Sequence, residues 1–255
     1  MAYPTPSQRR DALRPGRFSQ FGQQLRSTSA PIVLVVASVV AAVAAIVGLT
    51  VWVAVAAAVT AAVSGSQVLR TELVVPLRMR RAENATAMVF EGDGEDTFWR
   101  GAAFQIAPGR WITANHIVRD STHLTLKIDG AFAGCQILHS DMTSNLAVLA
   151  ADTDWAWHAA TARSAPDVGD KLKVIGWRDD HGRGVRLTYD YLVSGRAEGD
   201  VVVIAGPKPF PGFGGGPAIN TKTGQVTGVL TGHFPEDGEE AGLISPLSAL
   251  PTEYL

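Results

Sequence analysis

One segment constrains this chain before any other. From Ile32 to Val63 there is no charged residue, alanine and valine dominate, and Trp52 falls near the middle. As a helix, these 32 residues reach roughly 48 Å, and the hydrocarbon core of a bilayer is about 30 Å thick. A core helix of a soluble protein keeps a polar face, and this run has none. A cleaved signal peptide has a shorter apolar region nearer the N-terminus. The expectation is a transmembrane segment over residues 31–64, with the lipid bilayer as the partner of residues 32–63. One tilted span is favoured. The run is also long enough for a short helical hairpin turning near Gly48, and that alternative stays open.

The charge pattern divides the rest. Residues 1–30 carry five arginines against Asp11, a net +4, and read as a disordered basic tail. Residues 65–82 form a basic linker, with Arg70, Arg78, Arg80 and Arg81 against Glu72. The positive-inside rule favours a cytoplasmic N-terminus and an extracytoplasmic C-terminal domain, whereas a hairpin would return that domain to the cytoplasm. Residues 82–255 hold 13 basic and 22 acidic residues, a net −9 hidden within a whole-chain charge of −2. Such an acidic body argues against nucleic acid as a partner. The single Cys135 rules out an intramolecular disulfide framework, and no two of the six histidines form a His-x-x-x-His pair. Neither a metal nor a cofactor is expected. The Ala/Val-rich anchor and arginine-rich tail point to a bacterial or phage source.

From Glu83 onward, short apolar and β-branched runs alternate with Gly, Pro and Asp clusters. Ala87–Phe90, Ala102–Ile106, Trp111–Thr113, Leu124–Ile128, Leu146–Leu149, Lys173–Ile175, Val185–Leu192, Val201–Ile204 and Val226–Leu230 read as strands. The pattern predicts an all-β domain over residues 83–255, long enough for two small barrels.

Three segments follow one another in this domain. Gly101-Ala-Ala-Phe leads through a Pro-Gly turn to Thr113-Ala-Asn-His116. A polar loop then enters Asn145-Leu-Ala-Val-Leu149. Last comes Gly212-Phe-Gly214-Gly-Gly-Pro217, with Gly224-Gln-Val-Thr-Gly-Val229 after it. Together they resemble the trypsin-like (chymotrypsin-fold) serine proteases, especially their bacterial branch. The resemblance implies a double six-stranded β-barrel closed by a short C-terminal helix after Pro246. It places His116 at the general base, Asn145 where an aspartate orients that base, and Gly214 where a serine attacks. A serine hydrolase needs all three functions, and replacing the aspartate by asparagine alone costs about 10⁴ in turnover in the best-studied case. The chain thus resembles a degenerate member that lacks the nucleophile. Asp141, Ser144, Ser194 and Cys135 are the nearest candidates to replace a missing group.

Further site residues follow from the same resemblance. Gly212 and Gly214 match the backbone donors of the oxyanion hole. Phe213 stands in place of a small polar residue, either filling the space of the serine or capping the barrel. Lys208, six residues before Gly214, falls where enzymes of basic specificity carry aspartate, and implies a pocket that disfavours Lys and Arg. Thr231-Gly232-His233 resembles the edge on which substrates add a β-strand. The leading expectation is a membrane-anchored pseudoprotease that binds a peptide or protein partner. The alternatives are an active membrane serine endopeptidase with a non-standard nucleophile, and a structural or immunity-type membrane interaction protein.

Overall fold

A computed structural model describes residues 30–92, 97–180, 183–236 and 239–255. The basic tail expected over residues 1–30 lies outside them, apart from Ala30. The chain divides into two units, Met1–Gly65 and Ser66–Leu255, each considered by itself.

The described part of the first unit is helical. Helix α1 spans Ala30–Leu69 and passes through Gly48 without a turn. The fold has one helix here, not a hairpin. A lone glycine costs a helix only about 1 kcal/mol relative to alanine, which the alanine-rich turns on either side offset. Among the described residues, one helix is long and apolar enough to cross a membrane, Val51–Asn84, with a mean hydropathy of 1.6.

In the second unit, a π-helical turn, Arg70–Val74, leads into helix α2, Val75–Asn84. Pro76 follows the π-helical turn directly, and its missing N–H withholds one bond from the otherwise continuous helix at that point. The helix packs on the barrels. Ala82 and Ala85 are fully buried, and Met79 lies against the main core. Arg78 Nη1 donates to the Thr223 carbonyl at 3.1 Å. Gly224 has φ +68°, and a Cβ there would come within 2.8 Å of both Arg78 Cβ and the Val75 carbonyl.

Twelve strands follow, in two closed antiparallel barrels. The first contains β1 (Thr86–Glu91), β2 (Phe98–Ala107), β3 (Arg110–Ala114), β4 (Leu124–Ile128), β5 (Ala131–Asp141) and β6 (Leu146–Ala151), ordered β1-β2-β3-β6-β5-β4. The second contains β7 (Lys171–Asp180), β8 (Arg183–Arg196), β9 (Val202–Ala205), β10 (Pro217–Asn220), β11 (Val226–Glu236) and β12 (Glu239–Pro246). Its order, β10-β11-β12-β9-β8-β7, repeats that of the first barrel. Closure gives every strand two neighbours over at least part of its length. Trp111, Phe104, Leu126 and Leu149 fill the first barrel, and Ile175, Ile219 and Val229 extend the same core across to the second. Leu172, Ile204, Leu230 and Phe213 fill the second.

The expected strands all form. One correction concerns the C-terminus. Two 3₁₀ turns, Leu247–Ala249 and Thr252–Tyr254, replace the expected short helix. Pro251 separates them, because its ring and missing N–H prevent helix continuation.

Candidate active-site cleft

Strand β3 ends at Ala114 in an extended conformation, and the chain turns at once into a one-turn helix, α3, Asn115–Val118. This turn carries His116, half-buried. Asn145 locks it from the β5–β6 loop. Its backbone carbonyl accepts the Asn115 N–H at 2.9 Å, and its side-chain Oδ1 accepts the His116 N–H at 3.0 Å. Asn145 has φ +54°, a left-handed conformation that Asn and Asp tolerate better than other side chains.

The Asn145 amide is oriented by its neighbours. Oδ1 faces the His116 N–H, a donor, and Nδ2 faces the Thr231 carbonyl at 3.3 Å, an acceptor. Both amide atoms also lie within hydrogen-bond distance of His116 Nδ1, Nδ2 at 3.1 Å and Oδ1 at 3.3 Å, so the amide can serve either ring tautomer. Burial holds His116 below the ordinary histidine value, with the Asn145 hydrogen bond opposing it and Arg119 and Arg100 adding to it.

Nε2 points towards Gly214. A Cβ added to Gly214 would lie 3.3 Å from it. The loop carrying Gly214 is tightly built. Gly212 and Gly215 have φ +95° and +83°. Gly215 lies so close to the Ala102 carbonyl and Thr113 Oγ1 that a side chain would collide with both. The loop also joins the barrels, because Ala102 N–H donates to the Gly214 carbonyl at 2.8 Å. Gly214 itself does not have a positive φ.

A cleft of about 520 Å³ opens at this point. His116, Gly212, Gly214, Lys208, Gly232 and His233 all line it, so the structure brings most of the predicted residues together. Thr231 contributes its carbonyl to Asn145, while its hydroxyl lies 3.0 Å from Ser245 Oγ. Phe213 does not reach the cleft. It is fully buried in the second barrel, stacked on Tyr189 with centroids 5.3 Å apart, and packed against Gly176. It caps the barrel core because its large apolar ring is better removed from water than left in a polar loop. Trp99, Arg100 and Phe210 complete the lining. The Trp99 ring lies directly over Gly212, and its Nε1–H donates to the Gly101 carbonyl at 2.9 Å. Sequence reasoning missed Trp99 and Arg100, although both immediately precede the Gly101 segment.

Among the described residues, the lining contains no serine, threonine, cysteine or carboxylate. The substitute groups are engaged elsewhere. Ser144 Oγ donates to Asp141 Oδ2 at 2.7 Å. That hydroxyl, with the Thr143 N–H, holds the Asp141 carboxyl below its ordinary value. Ser194 Oγ donates to the Val203 carbonyl within the second barrel. Cys135 sits on β5 against the main core, and burial pushes its thiol up to about 12. A carbonyl placed at Gly214 therefore meets hydrogen-bond donors but no nucleophile from the cleft wall.

The trypsin-like peptidase domain profile matches residues 101–229, half of the chain. The chain belongs to the trypsin-like peptidase family. No curated protein sequence matches it. Solved structures share the fold. The active form of the Rv3671c protease from M. tuberculosis is 22% identical, with a TM-score of 0.58, over 69% of this chain and 81% of that one. The serine endoprotease from Yersinia pestis is 21% identical, with a TM-score of 0.56, over 68% of this chain. The HtrA-type protease AlgW, solved with a decapeptide, is 20% identical, with a TM-score of 0.55, over 67% of this chain. This trypsin-like chain spans 62% and 63% of the length of those last two proteins.

Proposed function

We propose that this trypsin-like chain is a membrane-anchored homologue without peptidase activity, and that its cleft binds an extended segment of a partner protein. The observation that carries this reading is the pairing of His116 with a side-chain-free Gly214 in a cleft that is otherwise fully built. Catalysis by a triad needs a nucleophilic oxygen and a base with a free Nε2 lone pair. Here the oxygen is replaced by glycine, and the neutral amide of Asn145 stands beside the ring where a carboxylate would stabilise the imidazolium. An active enzyme with a relocated nucleophile is disfavoured by the engagement of Ser144 with Asp141.

The binding surface is supported by the pairing of β11. Strand β10 pairs with β11 only as far as Val229, whereas β12 pairs with it through His233 and beyond. Thr231–His233 thus have a strand on one side only, and a peptide can add as a strand on the other. Helix α1 supports anchorage, and the basic residues of the N-terminal segment support an extracytoplasmic domain.

The test is to treat the full chain in detergent with a fluorophosphonate probe and to assay casein hydrolysis. No labelling and no hydrolysis is the expected result. Labelling abolished by a single Ser→Ala substitution would overturn the reading.

A further inference from the structure

We propose that the cleft receives the free C-terminal carboxylate of a polypeptide, seated beside Gly214 against His116 Nε2–H. The inference rests on the peptide-binding reading and gives it a ligand chemistry.

The groups that converge on Gly214 are donors. His116 turns Nε2 towards Gly214, and a carboxylate there accepts from Nε2–H in the Nε2-protonated neutral ring and in the imidazolium alike. The N–H groups of Gly212 and Gly214 donate to no backbone carbonyl among the described residues. A continuing peptide chain would bring its own amide N–H to this point, donor against donor. A carboxylate brings two oxygens, accepts only, and forms the stronger charge-assisted bonds. Gly214 leaves Nε2 uncovered, since no side chain extends from its Cα towards the imidazole.

Charge points the same way. Among the described residues, the titratable side chains of the lining are basic: Arg100, His116, His233 and Lys208, the last already engaged in another interaction. Arg100 shares its charge with Glu91 at 3.3 Å, yet Glu91 is not part of the lining. This basic cleft belongs to a domain of net −9. Neutral Asn145 completes the arrangement, for an aspartate beneath His116 would repel the ligand and pull the ring proton to Nδ1. The exposed edge at Thr231–His233 leads into the same cleft, so a chain added there as a strand ends at Gly214.

The experiment uses the full chain in detergent micelles and an array of octapeptides tethered by their N-termini. Each is presented as the free acid, as the carboxamide, and as the carboxamide with a glutamate in the last position. Free acids are expected to bind at least about tenfold tighter than either amide form, the difference one charge-assisted contact makes. His116→Gln, which keeps an N–H, is expected to retain this preference, and His116→Phe to lose it. Equal binding of acids and amides overturns the inference and leaves peptide binding standing. Glutamate amides that match the free acids overturn it in favour of an acidic side chain. Absence of binding in all three forms overturns the inference and the peptide-binding reading together. His116→Phe that stays folded by circular dichroism and keeps the preference overturns the role given to Nε2.

Discussion

Hydrogen-bond direction decides the chemistry at His116. The backbone around Asn145 offers one donor and one acceptor, which orient its amide beside the imidazole. Asn145→Asp is expected to hold the ring proton on Nδ1 and to raise the His116 pKa, because a carboxylate stabilises imidazolium. Nitrogen NMR of the imidazole reads both, and an unchanged pKa would refute the argument. In the parent chain His116 should titrate below about 6.5. The unfolded chain then binds the proton first, so this residue disfavours folding as pH falls through that value. A second substitution, Gly214→Ser together with Asn145→Asp, is expected to restore hydrolysis of an activated ester, with either single variant staying near background. The missing triad functions are worth about 10⁴ to 10⁶ each and act as a unit, so partial repair yields little. A folded double variant with no turnover would show that more than two side chains were lost. Cys135, raised to about 12, should resist iodoacetamide at pH 7.5 in the folded chain and react once denatured.

At the scale of elements, sequence periodicity located the strands whose side chains alternate or are buried on both faces. Leu124–Ile128 alternates buried and partly buried residues, and it forms β4 to the residue. Strand β5 was not legible. Its side chains are exposed or half-exposed along almost its whole length, so no buried face marks the sequence. The basic linker gave no sign of helix α2 either. Its helical face is read only when Ala82, Ala85 and Met79 meet the barrel core. His116, Asn145 and Gly214 could be found because each stands in a local motif. Trp99 and Arg100 could not, because their places come from tertiary contacts, Trp99 over Gly212 and Arg100 held by the Ile117 carbonyl and Glu91. The docking of α2 predicts that Gly224→Ala destabilises the domain by about 1–2 kcal/mol in chemical denaturation, through a strained φ and a clash with Val75 and Arg78. On β11, Gly232 lines the cleft and a Cβ there meets only Leu243, at 3.5 Å, so Gly232→Val puts a branched side chain at the proposed docking edge without a clash. Peptide binding should fall at least about tenfold while the melting temperature is nearly kept. Retained binding would place the partner on another surface.

Over the whole molecule, a near-neutral total conceals three regions of different charge and polarity. The net −9 domain follows a basic linker and an uncharged helix, and within that domain the cleft reverses the local sign. Association with its ligand should therefore weaken as salt rises, over the range where the Debye length falls from about 10 Å to 3 Å. Alkaline carbonate is expected to leave the full chain in the membrane pellet. Alkaline phosphatase fused after Leu255 should be active, as an extracytoplasmic domain requires. Release into the supernatant would refute the anchor, and an inactive but stable fusion would reverse the topology.

The backbone at the two altered positions carries one further consequence. Gly214 does not have a positive φ, and the left-handed Asn145 is a site that aspartate also tolerates. Nothing in the main chain has been committed to the loss of the triad. From a GGU or GGC codon, serine is one base change away, and aspartate is one base change from either asparagine codon. With such a glycine codon, two point mutations would restore the serine and the aspartate of the triad. A screen of random variants for ester hydrolysis would return that pair among its first gains.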